Sequence, residues 1–337
     1  MNNTLAEAIW KCLSTPQSIV IVGHRNPDGD AIGACLGLYH FLKQINIEST
    51  VIMPDDFPAF LKWMPESDQV LNYEQHTAKV TEAINQATLI FTLDFNSLQR
   101  LGSMAPLLEA SSAKFIMIDH HEAPDNYAAI TYSDTAICAT SQMVFHLIES
   151  LEKTEYLNPA IASCLYTGIM TDTGSFKYFN TTATTHRVAA QLIEAGAPNA
   201  EIHQNVYNTQ TLNRLKLLGK AIENLTVLPH LNTAYITMST REMQKFNYQK
   251  GDTEGFVNYA LSIKNIRLAV FLKEDASLGI TKLSLRSHRN FSVNQMARAH
   301  FNGGGHTNAA GGKLELSLED AVAKFISILP AYKSELE

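Results

Sequence analysis

Cysteine is scarce in this sequence, four residues in 337, and Cys12, Cys35, Cys138 and Cys164 show no Cys-x-x-Cys spacing. That excludes a disulfide framework and leaves reduced, buried thiols as the expectation. Long apolar runs are also missing: none approaches the roughly 18 to 20 residues that cross a bilayer. The N-terminus, MNNTLAEAIWKCL, has no basic region followed by an apolar stretch and a cleavage site. The expected location is therefore the cytoplasm, with no membrane partner. Only 18% of residues are charged, and no dense Lys/Arg stripe runs along the chain. A binder of long duplex nucleic acid is excluded on that ground. Glycine (17) and proline (11) are too few for a collagen-like or disordered chain, and no internal repeat or low-complexity tract is present.

What is there is ordinary globular composition, 45% hydrophobic, at a length that favours two domains over one. The charge is divided unevenly. Residues 1–190 carry 10 Lys and Arg against 20 Asp and Glu, a net −10, whereas residues 191–337 carry 16 against 13, a net +3. A metal-binding domain joined to one that holds an anionic substrate would produce this asymmetry, and so would solvated surface charge.

Short β-rich runs at 18–23, 49–53, 88–95 and 113–119 alternate with stretches of helical period such as 31–45 and 97–110. That rhythm predicts an α/β fold on a parallel sheet. From about 140 to 225 the pattern turns helical. Strands are then expected at 225–229, 233–239, 267–274 and 281–287, followed by a Gly-rich loop and a C-terminal helix. The resulting division is an α/β domain over 1–190, a helical linker over 191–222 and a smaller α/β domain over 223–337.

Three motifs fall where the first-half strands end, the usual ligand-binding edge of an open α/β sheet. The run Gly23-His24-Arg25-Asn26-Pro27-Asp28-Gly29-Asp30 follows the first strand; its Pro and Gly predict a tight turn that aims His24, Asp28 and Asp30 into one space. Taken alone, the motif also fits a helix cap at Asp30 with His24 on the surface, the lesser of the two readings. The third strand ends in Asp94 and the fourth in Asp119-His120-His121. Farther on, an apolar helix runs into Thr171-Asp172-Thr173-Gly174 and projects Asp172; a carboxylate there is costly to bury unless it meets a cation. Asp28, Asp30, Asp94, Asp172, His24 and His120 form an oxygen-rich set sufficient for two divalent ions sharing a carboxylate. With no Cys and few His, it favours Mn²⁺ or Mg²⁺ over structural Zn²⁺. In the second half, glycines 303–305 would let backbone N–H groups approach an anion, with His306 as a further donor and with Arg286 and Ser287 ending a strand nearby. Phe176, Tyr178 and Phe179 suit core packing better than base stacking.

The order His-x-x-x-Asp-x-Asp, strand-terminal Asp, Asp-His-His and Thr-Asp-Thr-Gly resembles the DHH phosphoesterase superfamily. Gly303-Gly304-Gly305-His306-Thr307-Asn308-Ala309-Ala310-Gly311 is similar to the signature of its DHH-associated C-terminal domain, although the family often has one more Gly where Asn302 stands. Length and domain pairing most resemble the branch of bifunctional oligoribonucleases and PAP phosphatases (NrnA-type). The resemblance implies two divalent cations, one held by His24, Asp28 and Asp94 and the other by Asp30, Asp94, His120 and Asp172. It further implies that His121 faces the scissile phosphate, that Asp119 supports the histidines, and that Arg286, Ser287, Gly303, Gly304, Gly305 and His306 bind substrate. The active site would lie in the cleft between the domains. The implied activity is Mn²⁺-dependent exonucleolytic degradation of short RNA oligonucleotides to mononucleotides and dephosphorylation of 3′-phosphoadenosine 5′-phosphate. Hydrolysis of linear dinucleotides or short polyphosphates, a non-catalytic nucleotide-binding regulator, and assembly as a homodimer stay open.

Overall fold

Ile19–Val22 is an unbroken run of β-branched residues, a sequence suited to a strand buried on both faces. In the computed structural model, which describes residues 1, 3–15 and 17–337, all four are buried. This strand, β1, lies inside a six-stranded sheet with β2 (Ser49–Met53), β3 (Leu71–Asn72), β4 (Leu89–Leu93), β5 (Lys114–Asp119) and β6 (Ile130–Ser133). The order is β3-β2-β1-β4-β5-β6, and every neighbouring pair is parallel. β1, β2, β4 and β5 are the expected strands. The edge strands β3 and β6 are short and partly exposed, so they carry no apolar run to announce them.

Alternation along the strands covers both faces. Ile19, Ile21, Phe91 and Ile116 face one apolar cluster, while Val20, Val22, Ile90 and Phe115 face another. The first cluster is built by three helices packed on one another, Gly29–Gln44, Thr140–Ser150 and Pro159–Asp172. Gly33 allows the close approach: a Cβ there would sit 2.6 Å from the Cys164 carbonyl oxygen and 2.9 Å from the Gly168 nitrogen. The stretch expected as one helix at 97–110 is instead a 3₁₀ segment, Leu98–Met104, interrupted by Gly102 at φ +61°, and then a short α-helix, Ala105–Glu109.

Contacts divide the chain into two units, Met1–Thr209 and Gln210–Glu337. The segment 191–222 contributes to both. Ile202 and Val206 of helix Asn199–Tyr207 are buried in the core of the first unit, and Leu217 and Ala221 of helix Leu212–Glu223 in that of the second.

The second unit has a six-stranded mixed sheet of β7 (Leu225–Leu228), β8 (Thr233–Met238), β9 (Leu268–Asp275), β10 (Ile280–Ser287), β11 (Gly304–His306) and β12 (Ala309–Leu314). Its order is β11-β12-β10-β9-β8-β7, with β8 and β9 parallel and the other pairs antiparallel. The Gly-rich stretch, expected as a loop, is a β-hairpin formed by β11 and β12 and preceded by helix Val293–His300. Glycine at 303 is dictated by packing, since a Cβ would lie 1.9 Å from the Gly311 carbonyl oxygen. Asn302, the departure from the family pattern, sits at φ +48° just past the helix end. That left-handed conformation suits glycine best and asparagine next.

Gly33→Ala should lower unfolding free energy by about 1–3 kcal/mol, the usual cost of overpacking. The check is a reduced urea midpoint at unchanged m-value.

Candidate metal centre

Strand order reverses between β1 and β4, so the connections leaving those strands diverge and open a crevice at their carboxyl ends. Eight side chains converge around it: His24, Asp28 and Asp30 after β1, Asp94 after β4, Asp119, His120 and His121 at the end of β5, and Asp172 in the last turn of helix Pro159–Asp172. Within this unit their ligand atoms form three sets, each lying within 4.8 Å: His24, Asp28 and Asp94; Asp30, His120 and Asp172; Asp94, Asp119 and His121.

Each imidazole is oriented through one nitrogen. His24 Nδ1 donates to the Arg25 carbonyl at 2.8 Å, which turns Nε2 toward Asp94 Oδ2 (3.4 Å) and Asp28 Oδ2 (3.8 Å). His120 Nδ1 donates to the Ile137 carbonyl at 3.0 Å; its Nε2 lies 3.5 Å from Asp94 Oδ1, 3.5 Å from Asp172 Oδ2 and 3.8 Å from Asp30 Oδ2. Asp119 was expected to support both histidines, but its carboxylate engages His121, receiving the ring Nδ1–H at 2.7 Å and the backbone N–H at 3.1 Å. His120 is steadied instead by the Ile137 main-chain carbonyl.

The turn after β1 is shorter than expected. Helix Gly29–Gln44 begins directly after Asp28, whose Oδ1 caps it by accepting from the Asp30 and Ala31 nitrogens. Asp30 lies inside the first helical turn and reaches across to the start of helix Thr140–Ser150, where Thr140 N (2.6 Å) and Ser141 N (2.9 Å) donate to its two oxygens. The cap is thus Asp28, and Asp30 satisfies another helix. Asp94 has φ +67°, the left-handed region, and its Oδ1 also accepts from Thr140 Oγ1 at 3.0 Å.

The charges show what this arrangement requires. Burial pushes the Asp30 carboxyl well above its ordinary range, and the Asp94 and Asp172 carboxylates add to that shift. Burial opposes ionisation of Asp94 too, but the imidazoles of His120 and His24 overcome it and hold that carboxyl well below the usual range. Burial alone would lower both imidazoles; the carboxylates around them win, raising His24 and, far more, His120. The nearby imidazoles offset the charge of these carboxylates. A divalent cation would do so directly, and carboxylate oxygens with imidazole nitrogens suit one chemically.

In the second unit, Arg286, Ala309 and His306 share one rung of β10, β12 and β11, so the arginine and histidine side chains point to one face. Gly304 and Gly305 belong to the same hairpin. Ser287, expected at a substrate, is buried: its hydroxyl donates to the Phe291 carbonyl (2.6 Å) and accepts from Asn308 Nδ2 (2.8 Å), fastening the hairpin turn. Phe176 packs against His186 at 5.5 Å, as expected of core, whereas Tyr178 and Phe179 are exposed.

Thr140 and Ser141 escaped sequence reasoning, because Ala-Thr-Ser opening an apolar period reads as an ordinary helix start. The signal is structural: the residue before the helix, Ala139, has no side chain that can cap it, so the cap comes from a distant carboxylate.

Residues 18–169 match the DHH family, N-terminal domain, and residues 232–334 the DHHA1 domain. The chain is similar to a Thermus thermophilus protein named bifunctional oligoribonuclease and PAP phosphatase NrnA, with 32% identity over 98% of this chain and 94% of that one. A Bacillus subtilis protein of the same name is 29% identical over 90% of this chain and 91% of its own. Among solved structures, an exopolyphosphatase-related protein from Bacteroides fragilis superposes with a TM-score of 0.94 at 41% identity, covering 99% of this chain and 98% of that one.

If the cluster is a cation site, added Mn²⁺ should raise the thermal midpoint of chelator-treated protein. The gain should reach about 2.7 kcal/mol when free Mn²⁺ is a hundredfold above Kd. A midpoint indifferent to Mn²⁺ would remove the cluster as a cation site.

Proposed function

Because the chain belongs to the DHH family, we propose that it is a cytoplasmic, Mn²⁺-dependent phosphohydrolase that degrades short RNA oligonucleotides to mononucleotides and dephosphorylates 3′-phosphoadenosine 5′-phosphate. The observation that carries this reading is the Asp94 carboxylate, which turns Oδ2 to His24 and Oδ1 to His120. A carboxylate so placed suits a bridge between one cation at His24, Asp28 and Asp94 and another at Asp30, Asp94, His120 and Asp172. The names of the Thermus and Bacillus relatives support the substrate class. No helix among the described residues is long and apolar enough to cross a membrane, in keeping with a cytoplasmic site of action.

Two such cations supply Lewis acidity that activates water and offsets charge on a phosphoryl group. The chain's own contribution is orientation. His24 and His120 spend Nδ1 on main-chain carbonyls and present Nε2 inward. His121 is fixed through Nδ1 by Asp119, which orients its ring for a role at a phosphate oxygen. Arg286 and His306, on one face of the second sheet, suit an anion at the substrate's non-scissile end. A second reading, hydrolysis of short polyphosphate, is favoured by the name of the Bacteroides structure.

Hydrolysis of a dinucleotide, a long single strand, 3′-phosphoadenosine 5′-phosphate, pyrophosphate and a short polyphosphate with Mn²⁺ separates the readings. Dinucleotide and 3′-phosphoadenosine 5′-phosphate should be turned over fastest; a preference for polyphosphate would establish the second reading, and no turnover of any would leave a nucleotide-binding regulator. Asp94→Ala should lose bound metal and fall below about a tenth of the wild-type rate. A variant that keeps both would take Asp94 out of the bridge.

Arg286→Ala and His306→Ala should each weaken dinucleotide binding by about 10- to 150-fold, the value of a charge-assisted hydrogen bond, roughly 1.5–3 kcal/mol. Equal losses on the dinucleotide and on a small generic phosphodiester would place these residues in the chemistry or in stability instead of in grip.

A further inference from the structure

The two donor groups are held in place by different means. His24 and Asp28 come from one turn and are fixed locally, His24 by the next residue's carbonyl and Asp28 by capping its own helix. The second group is gathered from distant segments, and most of it is tied to one short stretch, residues 137–141. The Ile137 carbonyl accepts from His120 Nδ1 at 3.0 Å. Thr140 N and Ser141 N hold the two oxygens of Asp30. Asn180, beyond Asp172, donates to the Cys138 carbonyl at 3.4 Å. Thr140 Oγ1 donates at 3.0 Å to Asp94 Oδ1, the oxygen facing His120, while Oδ2 faces His24.

We propose that Thr140 is a positioning residue for the second cation, its hydroxyl setting the rotation of the shared Asp94 carboxylate so that each oxygen serves one group. The inference rests on the two-cation reading above. An aspartate's terminal torsion is broad and roughly two-fold, so backbone placement does not by itself decide where its oxygens point. Thr140 can decide it because its own position is rigid: it is fully buried, β-branched, and anchored through its nitrogen to Asp30. Loss of the hydroxyl frees the Asp94 carboxylate to rotate away from the arrangement in which Oδ1 faces His120. The first group suffers less, because His24 and Asp28 do not depend on Thr140 for their placement.

The test is Mn²⁺ binding by titration calorimetry on wild type, Thr140→Val, which keeps the shape but not the hydroxyl, and Thr140→Ser, which keeps the hydroxyl. Wild type should bind two ions. Thr140→Val should hold one near wild-type affinity and the other about 10- to 100-fold more weakly, the usual effect of losing a group that orients a metal ligand. The Mn²⁺ concentration giving half-maximal activity should rise by the same factor, and Thr140→Ser should restore both values to within a few-fold. The proposal is overturned if Thr140→Val binds both ions like wild type, if both ions weaken equally, or if Thr140→Ser is as poor as Thr140→Val, since restoring the hydroxyl would then not restore the site. Wild type binding fewer than two ions would overturn the two-cation reading and this inference with it, whereas failure in the variants alone overturns only the role of Thr140. Should Thr140→Val not fold by circular dichroism, Thr140→Ala compared with Thr140→Ser decides the same question.

Discussion

Asp30 and Asp94, both buried, and Asp172 beside them crowd one imidazole, His120, and the rest of the first unit is arranged around the cost of that repulsion. Carboxylates at this spacing inside a protein need positive charge or hydrogen-bond donors close by. The fold supplies donors from several directions. The first nitrogens of helix Thr140–Ser150 point at Asp30, which adds the favourable end of a helix dipole to two direct bonds. Two histidines reach Asp94 from opposite sides. A divalent cation bound there would add the positive charge that these carboxylates call for.

Such a site needs a stiff frame, and the frame follows from the sheet. All neighbouring strands run parallel, so every carboxyl end opens on the same edge, and the reversal of order between β1 and β4 leaves a gap at that edge. Apolar residues on both faces bury the strands up to those ends. Gly33 lets helix Gly29–Gln44, which carries Asp30, lie directly against the helix that ends in Asp172. Asp94 is held in the left-handed region where its strand ends, a local cost the surrounding packing sustains. In the second unit the hairpin plays the same framing part: Gly303, Gly305 and Gly312 serve close backbone packing, and the two groups suited to an anion share one rung of the sheet with β12 between their strands.

Much of this was legible along the chain. β1, β2, β4 and β5 announced themselves because a strand buried on both faces must be a continuous apolar run, and that run stops where the polar donors begin. The donors were legible for the same reason: His, Asp and Asp-His-His at the ends of buried strands have few inexpensive explanations. Edge strands β3 and β6 were silent, being short and partly exposed. The hairpin at β11 and β12 resembles a loop in sequence because glycines that permit close packing look like glycines that permit flexibility.

Sequence alone therefore determined the parallel α/β pattern of the first half, the identity of the eight converging side chains and the family, since each depends on residue type and local order. Tertiary structure alone decided how those side chains are held. Asp28 takes the helix cap that Asp30 could have taken, Asp119 serves one histidine, Ser287 is spent on a turn, and Thr140 stands between Asp30 and Asp94. The reason is physical. A hydrogen bond is a relation between two atoms, and when its partners are 46 or 110 residues apart in the chain, no local pattern records which of several competent donors will meet which acceptor.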